Sequence, residues 1–195
     1  MAKDRKKLEI ACTDTDCASG LHCFKATHQM VAQNRLGVCR ECGAKLVDWP
    51  RVHLRDARDV QYTFAMLKLE RVRHFFWHIP LSERAVNHAR RKGRIGMHAR
   101  VRKHLGTTIG PAHPWHDGFQ TPMAKDAPNA IGYAQHATAT CCRKCLEYWH
   151  GIGQGQPLNE AQLDYLTDLV CLYLDDRVPN LTEGGEKIPP VRRGS

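Results

Sequence analysis

The segment Cys39-Arg-Glu-Cys42-Gly43 constrains the first quarter of the chain more tightly than any hydrophobic pattern does. Two thiolates separated by two residues can reach one tetrahedral ion from a single tight turn, and a glycine behind the second lets the backbone curl around the metal. The remaining ligands must come from upstream, where Cys12, Cys17 and Cys23 stand. The preferred pairing is Cys12 with Cys17. Cys17 with Cys23 satisfies the same geometry through a longer knuckle, and His22 is an outside candidate. Four protein ligands close the shell and leave no position for substrate, so the expected cofactor is a structural zinc. Its binding energy then becomes folding energy for a zinc-knuckle module, residues 1–50, that is too small to hold itself together. A redox dithiol would sit at a helix start behind a strand, and nothing before Val38 reads as that unit.

The chain carries nine cysteines in 195 residues. No run of about 18 apolar residues offers a membrane span, and residues 1–25 lack the apolar core of a secretory signal. The expected compartment is the cytoplasm, with no membrane partner, and thiols kept reduced there serve as metal ligands or reactive groups. Nine is odd, and Cys171, inside an apolar helical pattern, is the expected buried bystander.

Beyond Trp49-Pro50 the pattern turns helical, so the expected fold class is mainly α: a helical domain over residues 51–181 behind a small zinc-ribbon-like module. Val60, Phe64, Leu67, Val72 and Phe75 predict one helix over residues 56–78, with Asp56 offering an N-cap and Pro80 a stop. Residues 81–104 read as one or two basic helices interrupted near Gly93 or Gly96. Residues 106–132 carry Gly110-Pro111, His113-Pro114, Asp117-Gly118, Thr121-Pro122 and Ala127-Pro128, the punctuation of a long loop, and long loops are more often functional than decorative. Residues 133–150 predict a helix over their second half that closes at Gly151. The last helix is signalled by Asn159 and Gln162 as a capping box, with Leu163, Leu166, Val170 and Tyr173 on one face. The ends have too little apolar surface to order themselves: residues 1–7 carry four basic side chains, and residues 182–195, rich in glycine, proline and arginine, read as a flexible tail.

A second constellation lies in His136-Ala-Thr-Ala-Thr-Cys141-Cys142-Arg-Lys-Cys145. A helix places Cys142 or Cys141 on one face with Cys145. His74 and His78, four apart on the predicted 56–78 helix, can turn both imidazoles to one ion, so a second zinc held by His74, His78, Cys142 and Cys145 is an expectation. His113, His116, Asp117, Gln120 and Thr121 feed into this segment, which makes His136, Asp117 and Cys142 the candidate catalytic groups. The His-x-Glu element of zinc deaminases is absent, because Ala137 and Thr138 follow His136.

The formal charge of +9 favours anionic partners. Its centre is residues 84–104, where Arg84, Arg90, Arg91, Lys92, Arg94, Arg100, Arg102 and Lys103 are met by no acidic residue. Arg90, Arg91, Lys92, Arg94, Arg100, Arg102 and Lys103 are the candidate nucleic-acid contacts.

The run Asp117-Gly-Phe-Gln-Thr-Pro122-Met123, followed by Ala134-Gln-His-Ala-Thr-Ala-Thr-Cys-Cys-Arg-Lys-Cys-Leu-Glu-Tyr-Trp-His-Gly-Ile152, resembles a bacterial family known as domain of unknown function 4186. The resemblance covers roughly residues 81–179 and implies that positions 117–150 hold the family's signature, with the cysteine knuckle an added module. It implies no activity. The residues themselves favour a zinc-binding, nucleic-acid-associated protein, such as a nuclease or base-processing enzyme. The alternatives are a metalloenzyme for a small anionic metabolite and a thiol redox or sensor protein using Cys141, Cys142 and Cys145.

Overall fold

Asn159 starts the last helix as its side chain requires, accepting from the Gln162 amide at 2.9 Å while the Gln162 side chain accepts from the Asn159 amide at 3.1 Å. A computed structural model describes residues 10–115, 117 and 129–189. In chain order these form α1 (His28–Ala32), α2 (Trp49–His53), α3 (Val60–Leu67), α4 (Arg71–His78), α5 (Glu83–Thr108), α6 (Ile131–Ala137), α7 (Arg143–His150) and α8 (Glu160–Arg177). The fold is mainly helical. Among the described residues the only β pairing is two isolated bridges, Asp16 with Leu21 and His22 with Glu70, so the module has no ribbon of strands.

The core is α8 laid against α5, α6 and α3. Leu166, Leu169, Val170 and Tyr173 are fully buried, and each apolar side chain removed from water contributes about 1.5–3 kcal/mol. Two hydroxyls inside this core are satisfied by backbone: that of Tyr173 donates to the Phe76 carbonyl at 2.8 Å and that of Thr167 to the Leu163 carbonyl at 2.7 Å.

Several expected elements are cut differently. The single helix over residues 56–78 is two helices, α3 and α4, parted at residues 68–70. The break turns the Glu70 side chain inward and exposes backbone groups that the module captures: the His22 amide donates to the Leu69 carbonyl and the Arg71 amide to the His22 carbonyl, each at 2.8 Å. Asp56 caps the short 3-10 turn Ala57–Asp59 in place of a long helix. Trp49-Pro50, read as the end of the module, opens α2, capped by Asp48 with proline in the first turn. The first half of residues 133–150 is helical too, as α6, and Gly151 ends α7 with φ 61°.

Gly93 interrupts α5 with φ 65° and ψ 178°, a backbone state that requires glycine. The break frees the amides of Arg94 and Ile95, and they donate to the carbonyls of Thr182 and Glu183 at 2.8 and 3.2 Å. The Glu186 amide donates to the Arg90 carbonyl at 3.1 Å. The first part of the expected flexible tail, residues 182–186, is therefore a strap hydrogen-bonded across the α5 kink. Residues 1–9 and 190–195 lie outside the described residues.

Candidate metal centres

Asp16 caps a 3-10 turn, Cys17–Ser19, and Gly20 at φ 73° reverses the chain so that Leu21 bridges back to Asp16. This tight loop brings His22 beside Cys17. Across from it, the Gly43 amide donates to the Cys39 carbonyl and the Cys39 amide to the Ala44 carbonyl, each at 2.9 Å, curling residues 39–44 into the expected knuckle. Ligand atoms of Cys17, His22, Cys39 and Cys42 all lie within 4.8 Å of one another.

Zinc–sulfur bonds of about 2.3 Å at a tetrahedral angle place two sulfurs about 3.8 Å apart, and a sulfur with an imidazole nitrogen about 3.6 Å apart. Cys17 Sγ and Cys39 Sγ are 3.7 Å apart, and Cys42 Sγ lies 3.5 Å from His22 Nδ1. A disulfide needs about 2.05 Å between sulfurs. The donor set thus fits one tetrahedral zinc. The thiols themselves call for a cation. Burial and then the neighbouring Cys42 and Cys39 thiols push Cys17 up to about 12. Burial also opposes ionisation of Cys39, but backbone groups of Cys23, Cys42 and Glu41 outweigh it and bring that thiol down to about 6.

The expected ligand set needs one correction. Cys12 is exposed and is not among the converging donors, and His22 takes its place. The reason is the Gly20 reversal, which returns the chain to Cys17 at position 22 rather than at position 12. Cys23 is excluded as well. In extended backbone neighbouring side chains point to opposite sides, so Cys23 turns away from the donors, and its buried thiol donates to the Cys12 carbonyl at 3.5 Å. Sequence spacing held both clues, Gly20 and His22, but weighted cysteine above histidine.

The second cluster gathers Cys141, Cys142 and Cys145, with ligand atoms again within 4.8 Å and Cys141 Sγ 3.6 Å from Cys145 Sγ. These sulfurs sit at the start of α7, where the first backbone amide, Arg143, donates to Asp117 at 2.8 Å. Asp117 therefore serves as a helix-start acceptor, complementing the helix dipole. The Arg143 side chain is buried and secures the surrounding loops by donating to the carbonyls of Ile109, Gly153 and Gln156 at 3.1, 2.7 and 2.7 Å.

His74 and His78 do not join this site. Their rings stack on each other at 4.0 Å and border a groove of about 540 Å³ with Arg71, Phe75, Ile79 and Pro80. The α4 face toward the sulfurs is one residue out of register with them and presents Arg73. That guanidinium is wholly buried; it donates to Cys145 Sγ at 3.2 Å, reaches Cys141 Sγ at 3.9 Å, and donates to the Tyr148 hydroxyl at 3.0 Å and the His136 carbonyl at 2.6 Å. Its Nε donates to Glu70 at 3.0 Å. Glu70 is also fully buried and accepts from the Phe24 amide at 3.3 Å, from the Tyr148 hydroxyl at 2.8 Å and from Trp149 Nε1 at 2.7 Å. Glu70 and Arg73 thus join the knuckle to the three thiols. Sequence reading missed both, because a charged pair inside an apolar pattern looks like the solvated side of a helix.

His136 is 5% exposed and stacks on Phe76 at 4.6 Å, with Nε2 lacking a partner among the described residues. Burial, and then the charge of Arg73, holds its imidazole down at about 3, so it is neutral near pH 7. Expected as catalytic groups, His136 is placed as a packed neutral ring and Asp117 as a helix-start acceptor. Cys142 is half-buried within the thiol cluster, and the adjacent Cys141 thiol pushes it up to about 11. His116, Gln120 and Thr121 lie outside the described residues.

The expected nucleic-acid residues divide into two groups. Arg90 pairs with Glu186 at 2.7 Å, Arg94 with Asp175 at 2.8 Å, and Arg102 with Asp164 at 2.7 Å and with Glu160. Arg91, Lys92, Arg100 and Lys103 have no carboxylate at ion-pair distance among the described residues. The acids come from α8 and the strap, far along the chain, so the local charge run gave no sign of them.

The sequence profile described as domain of unknown function (DUF4186) matches residues 61–175, more than half of the chain. This protein belongs to the DUF4186 family. The match begins upstream of the expected start near residue 81, so the DUF4186 domain includes Glu70 and Arg73 together with the three thiols, while the knuckle precedes it. No solved structure matches the chain.

Proposed function

We propose that this protein is a zinc protein with two thiolate centres and that it associates with nucleic acid. The observation that carries the zinc reading is the knuckle: two independent ligand separations, 3.7 Å between sulfurs and 3.5 Å between sulfur and nitrogen, agree with one tetrahedral ion. Four protein donors close that site, so its role is structural. It locks the module onto the α3–α4 junction, where His22 both offers a ligand atom and makes two backbone hydrogen bonds.

The centre at Cys141, Cys142 and Cys145 is the candidate functional site. Three protein donors leave a tetrahedral ion one open position, and a zinc bound there would supply a Lewis acid. Arg73 orients the sulfurs and offsets their negative charge through N–H donation, the role of an outer partner in a metal site. A thiol redox function finds less support, since the pKa values of all three thiols are raised, through hydrogen bonding among them and then burial and mutual repulsion. Nucleic-acid association is supported by the +9 charge and by Arg91, Lys92, Arg100 and Lys103 of α5, which have no carboxylate at ion-pair distance among the described residues. A nuclease or base-processing activity would place the substrate at the open thiolate centre.

Metal analysis of the full-length protein tests the reading. Two zinc ions per chain are expected, falling to one in Cys39→Ser and to one in Cys145→Ser. Retention of the full content in Cys39→Ser defeats the knuckle assignment, and unchanged content in Cys145→Ser defeats the second centre. For nucleic acid, affinity for a single-stranded oligonucleotide should fall steeply as salt rises, and a salt-independent or absent interaction refutes the association.

A further inference from the structure

Arg71, His74, Phe75 and His78 occupy the spacing i, i+3, i+4 and i+7 along α4 and so share one face of it. The opposite stripe, Val72, Arg73, Phe76 and Trp77, is buried. The outer face of a surface helix ordinarily carries charged and polar side chains, yet three of these four are rings. Together with Ile79 and Pro80 they line a groove of about 540 Å³, within the range of about 300–1,000 Å³ usual for ligand sites. Ile79 is buried, Arg71, His74 and Phe75 are half-buried, and His78 and Pro80 are exposed, so the groove opens to solvent.

Two features separate this face from an ordinary solvated one. First, its rings are set in place before any ligand arrives. His74 and His78 stack with centroids 4.0 Å apart and planes 27° apart. His78 Nδ1 donates to the His74 carbonyl at 2.7 Å, and Phe75 meets Phe76 edge to face at 5.4 Å. Burial, and then the charges of His78 and Arg71, keep the His74 imidazole below its ordinary pKa, so it is a neutral ring near pH 7. His74 covers one face of the exposed His78 ring and leaves the other for a further planar group. Second, the groove carries charge of one sign. Among the described residues no carboxylate lies at ion-pair distance from Arg71 and no acidic side chain lines the groove. The Arg71 amide donates to the His22 carbonyl at 2.8 Å, which fixes the start of α4 against the module. A cation suits the groove poorly, because near-parallel rings aim their in-plane lone pairs side by side rather than at one ion, and the guanidinium repels it.

We infer that the α4 groove binds single-stranded nucleic acid, with a base stacked on His78 in continuation of the His74–His78 pair and Arg71 donating to a backbone phosphate. Bases stack on aromatic and imidazole faces whatever their sequence, and a guanidinium matches phosphate oxygens. Phe75 lines the apolar wall. The inference rests on the nucleic-acid reading and deepens it, since it places a base as well as a phosphate.

The test uses the full-length protein and a fluorescent single-stranded oligonucleotide of about 12 nucleotides, with affinity measured across a range of salt. Stacking releases no counterions, so His78→Ala should weaken binding at least about fivefold with the slope of log affinity against log salt unchanged. Arg71→Gln should weaken binding and also reduce that slope by about 0.7. His78→Phe should restore affinity, and His78→Lys should not. Circular dichroism identical to wild type establishes that the variants are folded. Rescue by His78→Lys but not by His78→Phe overturns the stack. Unchanged affinity in both His78→Ala and Arg71→Gln overturns the groove while leaving nucleic-acid association standing. Adenosine monophosphate bound as tightly as the oligonucleotide, with the same dependence on His78, overturns a strand as the occupant. No oligonucleotide binding by the wild type overturns both the groove and the association.

Discussion

Replacing Glu70 by Gln puts the largest strain on the arrangement described above. The carboxylate has no solvent exposure and neutralises Arg73 at 3.0 Å, while Phe24, Tyr148 and Trp149 donate to its oxygens. Gln preserves the volume and one acceptor but removes the charge, so the Arg73 guanidinium is left buried and uncompensated. Breaking a buried pair in this way costs about 3–5 kcal/mol, about a fifth or more of an ordinary stability of about 5–15 kcal/mol. For a chain of this size that corresponds to a fall of about 6–20 °C in the melting midpoint. Arg73→Met should cost less, because three neutral donors still serve the carboxylate. The double variant should then be more stable than the sum of the single losses predicts, by about 2 kcal/mol. Urea unfolding of the zinc-saturated proteins measures all three. A Glu70→Gln loss below about 1 kcal/mol, the level of an exposed pair, would refute the claim that this pair joins the knuckle to the thiol centre.

At the knuckle, Cys12→Ser should bind zinc as tightly as wild type in competition with a chromophoric chelator, whereas His22→Ala should release it orders of magnitude more readily; the opposite ranking would restore Cys12 as a ligand. Stability should fall on acidification: burial holds the folded pKa values of His136 and His150 near about 3, the unfolded chain protonates near about 6.5, and so the contribution is complete above about 6.5 and is lost as pH drops toward 3. His136→Phe, which keeps the stack on Phe76, should flatten urea midpoints against pH over that window, and an unchanged slope would show that His136 does not carry the effect. Gly93→Ala forces a side chain onto a backbone conformation essentially confined to glycine, costing about 1–3 kcal/mol, and displaces the strap as well, so a loss of at least about 2 kcal/mol and faster proteolysis after residue 181 are expected; a loss below about 0.5 kcal/mol, the level of an ordinary surface substitution, would mean that the strap does not hold the kink.

The parts of this fold that could be read from the sequence are those set by neighbours in the chain. The Asn159–Gln162 box, the Gly151 stop, the Cys39–Cys42 turn and the mainly helical class follow from local patterns and hold in the structure. Where reading failed, a contact remote in sequence decided the outcome. The helix expected over residues 56–78 had adequate periodicity, yet the module's His22 backbone and the inward Glu70 are worth more to the folded chain than three further helical residues. Three arginines of the basic run proved to be partners of carboxylates in α8 and the strap, far along the chain, as in Arg102 with Asp164 and Arg90 with Glu186. Spacing selected His74 and His78 as ligands, but one residue of rotation about α4 turned Arg73 to the sulfurs instead.

That single residue changes the chemistry expected of the second centre. Two imidazoles would have completed a neutral-donor shell around Cys142 and Cys145 and closed the site, as in the knuckle. Arg73 cannot ligate a cation. It can only donate to the sulfurs, and so it makes them better able to share negative charge while leaving the coordination shell short. Because Arg73 is itself held by Glu70, and Glu70 by the Phe24 amide next to the knuckle, the set of the guanidinium against Cys145 depends on the module being closed. Loss of the knuckle ion should therefore be felt at the thiol centre, through side chains that touch neither ion.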